Sequence, residues 1–227
     1  MSTAHVHPVA PPSPGLPPEQ RRAWDGTLPL ELAGGDYLYF PGDPPRSVFL
    51  VRSGTVRIGR LLDAGSERTL DLAGPGDLVG EGAVLGEGQR QGFAQAVGPA
   101  RVSPLPAPVL EAALRRNPDL AAAVARLVAE RARRLEARLV ESAFADCRRR
   151  LASVLLDVAG RFGADEEPGR RVTVRLTHEE LARLIGAVRE TVTPLLGELR
   201  RERLIDYDRR SLRLLDLAGL RRIAAGG

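Results

Sequence analysis

Arg189, Glu190 and Thr191 stand together at the start of the apolar helical pattern RETVTPLLGELRR, with Thr193 close behind them. A guanidinium pairs bidentately with guanine O6 and N7, and a carboxylate accepts from cytosine N4. Each good pair contributes about 1–3 kcal/mol of discrimination between bases. The chemistry offered is directional hydrogen bonding to base-pair edges rather than bond-making. No nucleophile-base-acid set, Walker-type phosphate loop or metal-ligand spacing occurs in the chain, which argues against an enzyme. The single cysteine, Cys147, excludes an internal disulfide, a cysteine-rich zinc site and an iron-sulfur cluster. It fits a reducing compartment, by default the cytoplasm. No apolar run approaches the roughly 18 residues of a membrane span, and the N-terminus lacks the charged start and apolar stretch of a secretory signal.

The elements that must position those side chains are legible around them. Thr177 and Glu180 have capping-box spacing, which fixes one helix start. Leu181, Ala182 and Ile185 give that helix an apolar face, and Gly186 follows where a left-handed residue lets the chain turn. Val192, Leu195, Leu196 and Leu199 form the inward stripe of the next helix. This is a helix-turn-helix pattern. The stretches LIDYD and SLRLL, joined through Asp208, Arg209 and Arg210, read as a hairpin, so the unit is expected to be a winged helix-turn-helix. The turn sets the second helix across the first, and its leading residues project outward. Thr177 with its backbone N–H, His178, Arg200, Arg201, Arg209 and Arg210 are placed to meet phosphates. Charge agrees: all 33 basic residues are arginine, and residues 170–227 hold 13 of them against 8 acids. The alternative is a ligand-sensing or protein-interaction module whose helix-turn-helix does not bind DNA.

Upstream, prolines crowd residues 1–28, which predicts a disordered arm with one helical turn near PPEQRRAW and Trp24 covering apolar surface. Residues 29–116 alternate short apolar runs with turn clusters, the pattern of a compact β-roll ending in a helix near PVLEAALRR. Asn117 as cap and Pro118 at the first helical position open a long helix over 117–145. Leu120, Val124, Val128, Leu135 and Leu139 share one stripe of that helix, the seam expected of a coiled-coil homodimer. A further helix starts near Asp146, with Leu151, Val154, Leu155, Val158 and Phe162 inward, and ends in the loop GADEEPG. The fold class is α+β, with 146–227 as the winged helix-turn-helix domain.

The sequence THEELARLIGAVRETV with its wing resembles the DNA-binding end of the CRP/FNR family of bacterial transcription regulators. The likeness runs back through AFADCRRRLA at the hinge to YFPGD at 39–43, Gly54 and GDLVGE at 76–81. It implies a homodimer on double-stranded DNA, with RNA polymerase as a further partner, reached in some activators near GADEEPG. Arg189 and Glu190 match the two base-reading positions. The family often carries another Arg at the position of Pro194 and a Ser or Thr N-cap at that of Val188. Such members with a cyclic-nucleotide-binding roll hold the cyclic phosphate in a loop after the Gly-Glu pair. Gly80, Glu81, Gly82 and Ala83 match that half. Where the phosphate-holding Arg-Ser pair belongs stand Gln91 and Gly92, with Arg90 one place early, and Leu135 and Glu136 replace the base-reading hydroxyls of the long helix. These departures weigh against ordinary cyclic AMP recognition and leave another small effector or none. The three histidines, His5, His7 and His178, do not suit a haem in the roll, and no metal ligands are expected.

Overall fold

The computed structural model describes residues 15–62, 65–208 and 211–226. The described residues form two compact units, one over 15–133 and one from Arg134 onward. In the first, a four-stranded antiparallel sheet joins β1 (Leu30–Leu32), β8 (Ala100–Pro106), β3 (Ser47–Ser53) and β6 (Leu78–Val79) in that order. A second sheet orders β2 (Tyr37–Tyr39), β7 (Phe93–Ala96), β4 (Val56–Leu61) and β5 (Glu67–Ala73). The run SVFLVRS explains how they pack. A strand buried on both faces reads as continuous apolar sequence. Phe49 and Val51 of β3 join Val56, Ala73, Val79, Ala94 and Val102 in the core shared by the two sheets. Val48 and Leu50 point the other way, into a second core with Leu78, Leu105, Leu110, Leu120, Ala123 and Val124.

That second core overturns two expectations. Leu120 and Val124, assigned above to a dimer seam, are buried against the roll, 2% and 5% exposed. The N-terminal half of α2 (Pro118–Phe144) packs against the roll of its own chain, because β3 presents apolar residues on its outer face as well. Val128 is half-buried and lines a crevice of the same unit. The exposed apolar residues of α2 lie further on: Leu139, Val140 and Phe144, at 71%, 58% and 84%.

The second correction concerns the arm. Residues 1–14, with His5 and His7, lie outside the described residues, but 15–28 are folded. Leu16 and Trp24 are fully buried in the second core, bracketing a 3-10 helix over Pro18–Trp24. Gly15 makes the entry: its φ is +63, and a Cβ there would stand 2.7 Å from the Gly76 carbonyl carbon. Leu16 N–H donates to the Gly76 carbonyl at 2.7 Å, and Arg52 donates to the Trp24 carbonyl at 3.2 Å. Two large apolar side chains seated in a preformed groove outweigh the polar, proline-rich composition around them.

Helix α1 (Ala107–Arg116) leads to α2, which Asn117 caps by accepting from the Leu120 N–H at 3.1 Å. The second unit is built on α3 (Cys147–Phe162), whose Leu151, Val154, Leu155 and Val158 are buried while Phe162 is half-buried. It packs against α4 (His178–Ile185), α5 (Arg189–Arg201) and α6 (Leu217–Ala225). The wing is larger than a hairpin. Strands β11 (Ile205–Tyr207) and β12 (Leu212–Leu214) continue through β10 (Arg170–Val172) to β9 (Gly163–Asp165). Part of GADEEPG is therefore strand, and Glu166 bonds to both Arg171 and Arg213 at 2.5 Å, which holds its carboxyl below the usual range.

Candidate nucleic-acid interface and effector loop

Helix α4 begins as its sequence predicts. Glu180 N–H donates to the Thr177 hydroxyl at 3.2 Å, and the Glu180 carboxylate accepts from the Thr177 N–H at 2.5 Å. The Thr177 N–H is therefore spent in the cap and is not the phosphate donor it was expected to be. Gly186, at φ +66, turns the chain into Val188, which precedes α5 without a side-chain cap. The α5 core side is held by Val192, Leu196 and Leu199, all buried, with Leu195 half-buried.

Its other side faces solvent. Arg189, Glu190, Thr193 and Pro194 are exposed, Thr191 is half-buried, and neither Arg189 nor Glu190 makes an ion pair or side-chain hydrogen bond among the described residues. Thr193 is different. Its hydroxyl donates to the Arg189 carbonyl at 3.0 Å and sits 3.0 Å from Nδ1 of His178. His178 packs edge-on against Tyr207 of the wing, and burial, then the Arg189 guanidinium, hold its imidazole below the ordinary histidine value. The α5 helix runs unbroken through Pro194 to Arg201. Arg201 is exposed, whereas Arg200 ties α5 to the wing through Asp206 at 3.0 Å and lies over the Tyr207 ring. Arg209 and Arg210 lie outside the described residues.

The loop that follows β6 in the first unit is closed on itself. Gly80, at φ +81, is abutted by Arg90: a Cβ there would stand 2.9 Å from its Nη2. The Arg90 guanidinium is buried. It donates to the carbonyls of Gly80 at 2.8 Å and Ser47 at 2.5 Å, pairs with Glu87 at 3.2 Å, and lies over the Tyr39 ring at 4.4 Å. Burial, then nearby Glu81, pushes the Tyr39 phenol up to about 12. Gln91 is exposed: its N–H and side-chain amide bond within its own loop, and its carbonyl accepts from Arg60 of β4 at 2.5 Å.

Glu81 points to a residue that the sequence did not single out for this role. Arg131 of α2 pairs with Glu81, with Asp71 at 3.2 Å, and donates to the Leu78 carbonyl at 2.7 Å. Burial opposes its charge, but the two carboxylates prevail and keep the guanidinium above its ordinary value. Beside the pair lies a narrow crevice with about 10 Å³ of room, lined by Leu78, Glu81, Val124, Leu127, Val128 and Arg131. Gly82 and Ala83 sit in the short 3-10 turn over Glu81–Val84. Leu135, half-buried, and Glu136, exposed, belong to the second unit and do not line this crevice.

Comparison with known proteins agrees with this architecture. Residues 29–117 match the cyclic nucleotide-binding domain family, and 149–223 match the Crp-like helix-turn-helix domain. Transcriptional regulator SdrP of Thermus thermophilus is 38% identical over 203 residues, covering 86% of this chain and 93% of the relative. The CRP-like cAMP-activated global transcriptional regulator of Mycobacterium tuberculosis is 32% identical over 86% of this chain and 88% of its own length. The crystal structure of a CRP/FNR-family transcriptional regulator, also from Thermus thermophilus, superimposes with a TM-score of 0.70 at 33% identity, covering 87% of this chain and 98% of that one. These relatives are regulators rather than enzymes. No helix among the described residues is long and apolar enough to cross a membrane.

Proposed function

Because the chain belongs to the CRP/FNR family of DNA-binding transcription regulators, we propose that it acts as a homodimer that reads a pseudo-palindromic duplex with Arg189 and Glu190. The observation that carries this is the leading edge of α5: a guanidinium and a carboxylate side by side, both exposed and without an ion pair among the described residues, on a helix whose opposite face is anchored in the core. Two such helices about 34 Å apart enter successive major grooves. The dimer contact is supported by Leu139, Val140 and Phe144, apolar side chains that the C-terminal half of α2 leaves to solvent and that a paired helix would cover.

The effector loop supports regulation without a cyclic nucleotide. The groups that would meet one are already engaged: Arg90 with two carbonyls and Glu87, Glu81 with Arg131. The crevice, with about 10 Å³ of room, is far below the roughly 300–1,000 Å³ of small-molecule sites. A ligand there must first break a buried ion pair. Competition binding tests the DNA reading: Arg189→Ala relaxes preference at one base pair per half-site, and an unchanged preference refutes it. Calorimetric titration with cyclic AMP tests the loop: no heat and no change in DNA affinity are expected, and saturable binding contradicts the account.

A further inference from the structure

The feature of α5 that base reading by Arg189 and Glu190 leaves unexplained is Pro194. It lies inside the helix, where a proline forfeits the backbone hydrogen bond to the carbonyl four residues back, and it is exposed, so it fills no core. Thr193 beside it is also exposed, yet its hydroxyl is taken: the proton goes to the Arg189 carbonyl and the oxygen faces His178 Nδ1. A hydroxyl held in this way leaves the methyl as the group on offer. Arg189 with Thr193, and Glu190 with Pro194, are pairs four residues apart. Such pairs lie on the same face about 6 Å apart along the axis. Each polar reader is thus followed, one turn on, by an apolar group. Gly197 lies further along that face, where a Cβ would meet nothing within 4 Å, so no side chain rises from that position beside the proline.

Of the groups that base pairs present in the major groove, the thymine C5-methyl is the apolar one. Resting on the reading that α5 enters that groove, we propose that Pro194 and the Thr193 methyl read thymine methyls next to the base pairs that Arg189 and Glu190 contact. Hydrogen bonding at the start of the helix and apolar contact one turn later would together set the half-site. The proline then acts as a specificity residue, and its lost backbone bond is what the contact costs the helix.

Deoxyuridine tests this directly, since it removes the methyl and leaves pairing and hydrogen-bonding groups intact. A selected half-site is substituted one thymine at a time and competed against the parent duplex. At one or two positions the wild-type protein should lose about fourfold in affinity per methyl. That loss should vanish at one position in Pro194→Gly, which is no poorer a helix former than proline, or at the neighbouring one in Thr193→Ser, which keeps the hydroxyl. Pro194→Arg should shift preference at its position toward guanine. Insensitivity of the wild type to every deoxyuridine, or a sensitivity that neither variant alters, overturns the proposal while Arg189→Ala still relaxes selectivity. Absence of any selective binding, with Arg189→Ala also silent, overturns the underlying reading along with it.

Discussion

Replacing Arg131 by Met keeps most of the side-chain volume and removes the cation that Glu81, Asp71 and the Leu78 carbonyl share. The side chains involved are 16% exposed for Arg131, 15% for Glu81 and 2% for Asp71. Removing one member of so enclosed a set typically costs about 3–5 kcal/mol, because the remaining charge stays buried without its compensation. For a unit of this size that is a fall on the order of 15 °C in the melting temperature. Adding Glu81→Gln to Arg131→Met should return part of the loss, and a double-mutant cycle measures the coupling. Urea denaturation is the assay. A loss below about 1 kcal/mol would show that the set is a loose surface pair, and the closed effector loop argued from it would fail.

Trp24→Ala should destabilise the first unit by about 3–5 kcal/mol, measured by denaturation; a negligible change would mean that the segment before the roll is only an arm. Phe144→Arg should move the protein toward monomer in sedimentation, whereas Leu120→Ala should lower stability by about 2–5 kcal/mol and leave the oligomeric state alone. The reverse pattern would restore the dimer seam to the N-terminal half of α2. The depressed pKa of His178 means that the unfolded chain binds the proton first. Stability of the second unit should decline as pH drops below about 6.5 and level off beneath the folded value. His178→Gln should flatten that slope, and an identical profile in the variant would remove His178 as its source.

How much of this was readable depended on whether the cause was local. The Thr177–Glu180 box, the Gly186 turn and the Asn117 cap are short-range hydrogen-bonding and backbone effects, and the structure has all three. The stripe on α2 was correctly periodic, but periodicity does not say which partner covers it. The outer face of β3 covers Leu120 and Val124, while Leu139 and Phe144 stay exposed. Composition misled at residues 15–28, where Leu16 and Trp24 find a groove built from strands and helices far along the chain. Strand β9 was hidden in GADEEPG because a three-residue strand draws its stability from the neighbour it pairs with, here β10. At the effector loop the one-place shift to Arg90 was visible. Its turn inward to the Gly80 and Ser47 carbonyls, and the reach of Arg131 across to Glu81, are set by tertiary packing between segments 10 to 50 residues apart.

The most direct test of the central claim is selection of duplexes from a random pool by the full-length protein, followed by binding titrations at several salt concentrations. The account predicts an inverted repeat with half-sites centred about one helical turn apart. It also predicts affinity for that repeat at least about 10³-fold above random duplex at matched salt, and loss of the preference in Arg189→Ala. A pool that stays random, with binding that depends only on salt and is unchanged in the variant, would contradict it.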